Sequence, residues 1–206
     1  MNSDSLPHLR ILILAAGFSS RLGEPKALAK VHGKSLLRGT LALTASLGPL
    51  PIHAVVPRNA ARYRIEARGI KVIFDVNSRR AQGLSSSVRG GIVKLRYSPA
   101  VLLLPVDLAV LRRRELLRLI ARWRAARRCV IARRAGGQAV TPLILPRWLY
   151  PRALKLKGDI GLRDLVKELP RDAVRLVDLP SAALDIDTLQ DLRAARRCFR
   201  PQLSSR

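Results

Sequence analysis

Short apolar runs alternate along the chain with longer amphipathic stretches, a pattern that predicts strand followed by helix. Residues 11–14 (ILIL) and 101–104 (VLLL) contain no polar side chain, as expected of strands buried on both faces of a sheet. Residues 52–56 and 70–74 read as further strands, the second following Gly69. Between them, 36–47 has the apolar density of a buried helix and stops at Gly48 and Pro49, while 59–68 reads as a helix with a polar face. This order implies a parallel, doubly wound α/β sheet with 11–14 and 101–104 at its centre. In such a sheet, ligands collect at the carboxyl ends of the strands. Beyond Val130 the chain is expected to add strands, with a turn at Gly136-Gly137-Gln138 and a short strand over 141–145. A helix over 189–199 follows, and 200–206 reads as a loose tail. With no repeat and no linker in view, residues 1–199 are expected to form one domain.

Composition narrows the picture. At 206 residues, the chain is long enough to bury roughly 70% of its unfolded surface. Its two cysteines, Cys129 and Cys198, are far apart and lack partners at ligand spacing, which argues against zinc, an iron–sulfur cluster or a disulfide framework. No segment approaches the ~20 apolar residues of a membrane span, and the first apolar run is too short for a secretory signal. A soluble protein of the cytoplasm is expected.

The net charge is +25, and 31 of the 39 basic residues are arginine. They are spread along the chain, with Arg114, Arg118 and Arg122 at helical spacing and Leu116, Leu117, Leu119 and Ile120 offering an apolar side. A solvated helix face accounts for this pattern; nucleic acid or an acidic protein is the other reading. Aromatic residues make up only 4% of the chain, which leaves few platforms for stacking bases.

The candidate chemistry starts where the first strand ends. The loop after Leu14 carries Gly17, Ser19, Gly23 and Pro25, with Arg21 and Lys26 interleaved. Glycines let backbone N–H groups approach an anion, and the two cations add charge, so the loop has the parts of a phosphate cradle. It has neither the Walker spacing nor the dinucleotide-fold glycine pattern. Taken alone, it reads first as an ordinary turn. Likewise the serine cluster in 77–91 (NSRRAQGLSSSVRGG) can be polar turn residues and a cap before a helix. Asp107, after the 101–104 strand, can be a turn former. In 158–163 (GDIGLR), Asp159 can cap a helix, leaving Arg163 to meet an anion. In 184–188 (LDIDT), an extended backbone would set Asp185 and Asp187 on one face, a poor arrangement for two anions without a cation between them.

Taken together, the strings are more specific. Leu14, Ala15, Ala16, Gly17, Ser19, Arg21, Gly23, Pro25 and Lys26 fall on L-A-A-G-x-S-x-R-x-G-x-P-K, which closely resembles the signature of the MobA-like nucleotidyltransferases. The resemblance spans nearly the whole chain. It implies a three-layer α/β/α fold with a mostly parallel, Rossmann-like sheet of the nucleotide-diphospho-sugar transferase type. It also implies that Leu14 to Gly17, Ser19, Arg21, Gly23 and Lys26 bind a nucleotide with Gly83, Ser85, Ser86 and Ser87. Arg21, Lys26 and Asp107 would act in catalysis, and Asp107, Asp185 and Asp187 would hold Mg²⁺. Asp159 and Arg163 would face the second substrate.

Ala16 stands where guanylate-transferring members have glycine, so the resemblance leans towards CTP. It points closest to the molybdenum cofactor cytidylyltransferases, with molybdopterin as acceptor and a molybdenum hydroxylase as possible partner. GTP, a sugar phosphate, or a non-catalytic carrier of the cofactor stay open. The chain departs from the family pattern at Ala109 and Leu189, both of which are usually proline, and at Gln190, usually glutamate. No histidine falls in these strings.

Overall fold

The computed structural model describes residues 9–17, 22–158, 160–183 and 185–198. Strand β1 (Leu9–Leu14) leads into the loop that ends in a single 3-10 turn, Lys26–Leu28, and then the small hairpin β2 (Lys30–Val31) and β3 (Lys34–Ser35). Helix α1 (Leu36–Ala45), β4 (Ile52–Pro57), α2 (Ala61–Glu66), β5 (Ile73–Asn77), α3 (Leu84–Lys94) and β6 (Ala100–Pro105) complete the first half. The second half runs α4 (Arg113–Ala125), β7 (Val130–Ala135), β8 (Gln138–Pro146), α5 (Tyr150–Ala153), α6 (Leu162–Lys167), β9 (Val174–Val177) and α7 (Leu189–Cys198).

Among the described residues, seven of the nine strands form one sheet in the order β5-β4-β1-β6-β8-β7-β9. All neighbours are parallel except β8, which lies antiparallel between β6 and β7. The two most apolar strands, β1 and β6, pair side by side in the interior of the sheet, as their sequences required. Gly136 and Gly137, both at positive φ, make the two-residue turn that pairs Ala135 with Gln138 and folds β8 back on β7.

Alternate side chains of β1 feed two apolar layers. Ile11 and Ile13 pack with Leu37 and Leu41 of α1, Trp123 of α4 and Leu192 of α7. Leu12 packs on the other face with Val88 and Ile92 of α3, Tyr150 of α5 and Leu162 of α6. A Cβ added to Gly91 would lie 2.5 Å from both methyl carbons of Leu12, so this glycine sets how closely α3 approaches β1. Among the described residues, no helix is long and apolar enough to cross a membrane.

Three expectations are corrected. The strand placed at 70–74 forms at Ile73–Asn77, because Gly69 at positive φ and the Ile70 N–H to Ala67 carbonyl bond still belong to the turn that ends α2. Pairing with β4, His53 opposite Ile73, sets the register. The serines expected ahead of a helix lie inside the first turns of α3, after the N-cap Gly83. The short strand at 141–145 is the second half of the nine-residue β8.

Candidate functional site

The carboxyl ends of β1 and β6 lie next to each other, and among the described residues Lys26, Asp107 and Asp187 meet there. Beyond β1, Ala15 and Ala16 are buried and Gly17 is exposed. Ser19, Arg21 and Asp159 lie outside the described residues. Gly23 has φ 70°, and Pro25 caps the short turn that carries Lys26. From there the Lys26 ammonium donates to Asp107 Oδ2 at 3.0 Å and to Asp187 Oδ1 at 2.6 Å, joining residues 81 and 161 positions apart in sequence. Burial pulls the Lys26 pKa down, but the two carboxylates outweigh it and hold the group above its ordinary value.

Each acid is fixed by its backbone. The Ile186 N–H donates to the Asp107 carbonyl at 3.1 Å, laying 185–187 along the end of β6. Asp191, in the first turn of α7, accepts from the Asp187 and Thr188 N–H groups at 3.1 and 2.8 Å and from the Thr188 hydroxyl at 2.8 Å. Those hydrogen bonds, the Thr188 hydroxyl first, lower the Asp191 pKa. Leu189 begins the helix without disturbing this cap. On the approach to the segment, buried Glu115 of α4 accepts from the Ser181 N–H at 2.9 Å.

Asp185 faces Arg133 of β7, with Nη1 3.5 Å from Oδ1. Its pKa is raised by burial first; Arg133 opposes this, and repulsion from Asp107 and Asp187 adds to it. Asp185 therefore lies within the field of the other two acids. The three do not form a ready donor set: among the described residues, no group of three or more His, Cys, Asp or Glu side chains is disposed to hold a metal. Lys26 occupies the space between Asp107 and Asp187, and Asp185 is turned towards Arg133.

The serine string closes on itself. Asn77 Nδ2 donates to Ser86 Oγ and Ser87 Oγ, both at 2.9 Å, and Ser86 Oγ donates to the Gly83 carbonyl at 2.8 Å. Ser85 Oγ is buried without a hydrogen-bond partner. Its N–H donates to the Gly158 carbonyl at 3.2 Å, which brings the 158–163 string against the start of α3. Arg163 donates through Nε to Gln138 Oε1 at 2.8 Å and through Nη2 to the same oxygen. Beside the Lys26 turn, a groove of about 410 Å³ runs past Pro25, Arg58, Asn59, Asn77 and Arg80, over the ends of β4 and β5.

Sequence reasoning missed Arg133, Glu115 and the bridging position of Lys26. A charge closing the apolar run Val130-Ile131-Ala132 was the available signal for Arg133. Nothing local marks Glu115, whose partner lies 66 positions away.

Solved structures share this architecture. Rv0371c from Mycobacterium tuberculosis H37Rv, in complex with manganese, is 22% identical, with a TM-score of 0.73 over 93% of this chain and 100% of that one. A nucleotidyl transferase from Methanothermobacter thermautotroptrophicus is 21% identical, with a TM-score of 0.77 over 93% and 97% of the respective chains. Molybdopterin-guanine dinucleotide biosynthesis protein A from Archaeoglobus fulgidus is 16% identical, with a TM-score of 0.67 over 92% and 97%. Identities this low establish the fold alone. Comparison with curated proteins returns no significant match. The MobA-like NTP transferase domain model matches residues 11–174, most of the chain, and the protein belongs to that family.

Proposed function

We propose that the protein is a magnesium-dependent nucleotidyltransferase of the cytoplasm, residues 1–199 forming its single domain, that moves CMP from CTP to the phosphate of molybdopterin. The observation that carries this reading is the bridge from Lys26 to Asp107 and Asp187, which gathers three distant strings at one sheet edge. A phosphate oxygen of the acceptor attacks the α-phosphorus of CTP. The bond from that phosphorus to the bridging oxygen breaks, and pyrophosphate leaves with the electron pair. No protein nucleophile is needed, so the work is positioning and charge stabilisation.

In this reading the backbone of 14–17 and Gly23, with Ser19, Arg21 and Lys26, cradles the triphosphate. Lys26, held protonated by its neighbours, offsets charge developing on the phosphoryl oxygens. The base enters the groove past Arg58 and Asn59. The start of α3, with Gly83 and Ser85 to Ser87, supports the nucleotide, and Asp159 and Arg163 serve the acceptor. The preference for cytidine rests on Ala16 and the family resemblance.

Asp107 and Asp187, without Asp185, would hold a hard divalent cation once Lys26 yields the space between them. Asp107 and Asp187 offer carboxylate oxygens at one place, and Mg²⁺ commonly binds through one or two carboxylates together with substrate phosphates. Asp185 adds negative charge beside them. The ion would supply charge neutralisation at the phosphoryl oxygens. The departures at Ala109 and Leu189 are what favours the non-catalytic carrier reading. That reading loses force because Asp107 and Asp187 still converge and Asp191 still holds the turn. A molybdenum hydroxylase that receives the product remains the expected protein partner.

The test is pyrophosphate release with each NTP, in the presence and absence of molybdopterin. Release that requires both CTP and molybdopterin supports the proposal. Release with another NTP or a sugar phosphate reassigns the substrates, and stable pterin binding without release returns the carrier reading.

A further inference from the structure

Two phosphate-bearing reactants repel each other, so a site that joins them needs a cation for each. Lys26 serves one side of the acidic cluster. Among the described residues, the other cation ion-paired with a carboxylate of the cluster is Arg133. It stands near the carboxyl end of β7, where the pairing with β8 shifts register between Ala132 and Arg133. Irregularities of this kind re-aim side chains and occur beside active sites.

Arg133 is poorly satisfied for so buried a charge. The residue is 7% exposed, and its Nε has no hydrogen-bond partner. Its ion pair with Asp185 is 3.5 Å long, against about 2.7–2.9 Å for a good charge-assisted bond. A guanidinium has five donors in one plane, and leaving its Nε unused in the interior is costly. Asp185, with a side chain 46% exposed, has room to yield. Since Asp185 and Asp187 are two residues apart, no more than about 7 Å of backbone separates the acid on Arg133 from the acid on Lys26.

We infer that Arg133 is a binding residue for a phosphate monoester, with Asp185 occupying that place until the phosphate arrives. Identifying this group as the acceptor's phosphate rests on the nucleotidyl-transfer reading above. Arg133 and Lys26 then flank the acidic cluster, one cation to each reactant, and Asp185 acts as an exchangeable counter-ion.

The probe is phenyl phosphate, titrated by calorimetry into the native protein and into Arg133→Gln, Arg133→Lys, Asp185→Asn and the Arg133→Gln/Asp185→Asn pair. Losing the charge-assisted contacts should weaken binding about tenfold or more in Arg133→Gln and less in Arg133→Lys. Asp185→Asn should tighten binding, because the competing carboxylate is gone, and the double variant should lose that gain. Native-like affinity in a folded Arg133→Gln overturns the inference. So does weaker binding in Asp185→Asn, which decides the matter if Arg133→Gln does not fold. Binding of CTP with Mn²⁺, measured on the same samples, separates the two proposals. If CTP binds while phenyl phosphate ignores Arg133, only this inference falls. If CTP fails to bind the native protein while phenyl phosphate depends on Arg133, the phosphate site stands and the nucleotidyl-transfer reading falls.

Discussion

Replacing Lys26 with methionine keeps most of the side-chain volume and removes the charge that joins Asp107 to Asp187. Both the lysine and Asp107 side chains are largely buried, at 18% and 20% exposure, whereas Asp187 is 58% exposed. A hydrogen bond between charged groups in a half-buried setting contributes about 1.5–3 kcal/mol, and one screened by solvent about 0.2–1 kcal/mol. The net loss should be about 2 kcal/mol, chiefly through Asp107, read by urea denaturation. The Lys26 pKa in the folded protein is raised above 10.5, so the bridge's stabilisation is fully present below that value and is lost as pH rises through the folded pKa. The stability difference between native protein and variant should accordingly stay flat from about pH 6 to 9 and shrink only in stronger alkali.

Function should respond differently from stability. Without the ammonium, the two carboxylates attract a divalent cation more strongly, so Mn²⁺ should bind the nucleotide-free variant more tightly, as read by electron paramagnetic resonance. CTP should bind more weakly, and turnover should fall roughly 10²- to 10³-fold, as for loss of a main electrostatic element. Turnover within threefold of native, or unchanged Mn²⁺ affinity, would refute the role given to Lys26.

Other substitutions probe the surrounding structure. Asp107→Asn should keep the fold by circular dichroism and lower pyrophosphate release by roughly two orders of magnitude or more; near-normal release removes Asp107 from the mechanism. Gly91→Ala forces a methyl group against buried Leu12 and should cost about 1–3 kcal/mol in denaturation, with the KM for CTP unchanged. Ser85→Ala deletes a buried hydroxyl without a partner and should leave stability unchanged or raise it by up to about 1 kcal/mol. A rise in the KM for CTP in that variant would instead show that the nucleotide uses this hydroxyl.

The sequence alone determined the α/β architecture and pointed to the strings that carry the candidate site residues. Apolar runs such as 11–14 and 101–104 read as strands because a strand buried on both faces has no position for a polar side chain, and β1 and β6 do pair in the sheet interior. Gly136-Gly137 marked a turn because glycine accepts positive φ without strain, and both residues adopt it. The separate strings around Lys26, Asp107 and Asp187 are each local and each ambiguous alone, and only their combination along the chain was specific.

Their meeting could not be read the same way. The Lys26 bridge spans 81 residues in one direction and 161 in the other, and such contacts exist only once strand order and the crossover of 185–187 past Asp107 are set. The same holds for Arg133, which meets Asp185 only in the folded chain, and for β5, whose start follows from pairing with β4 and not from its own apolar pattern. Local periodicity and turn chemistry act over a few residues. The charge balance of a site depends on which distant groups share it, and only the folded chain settles that.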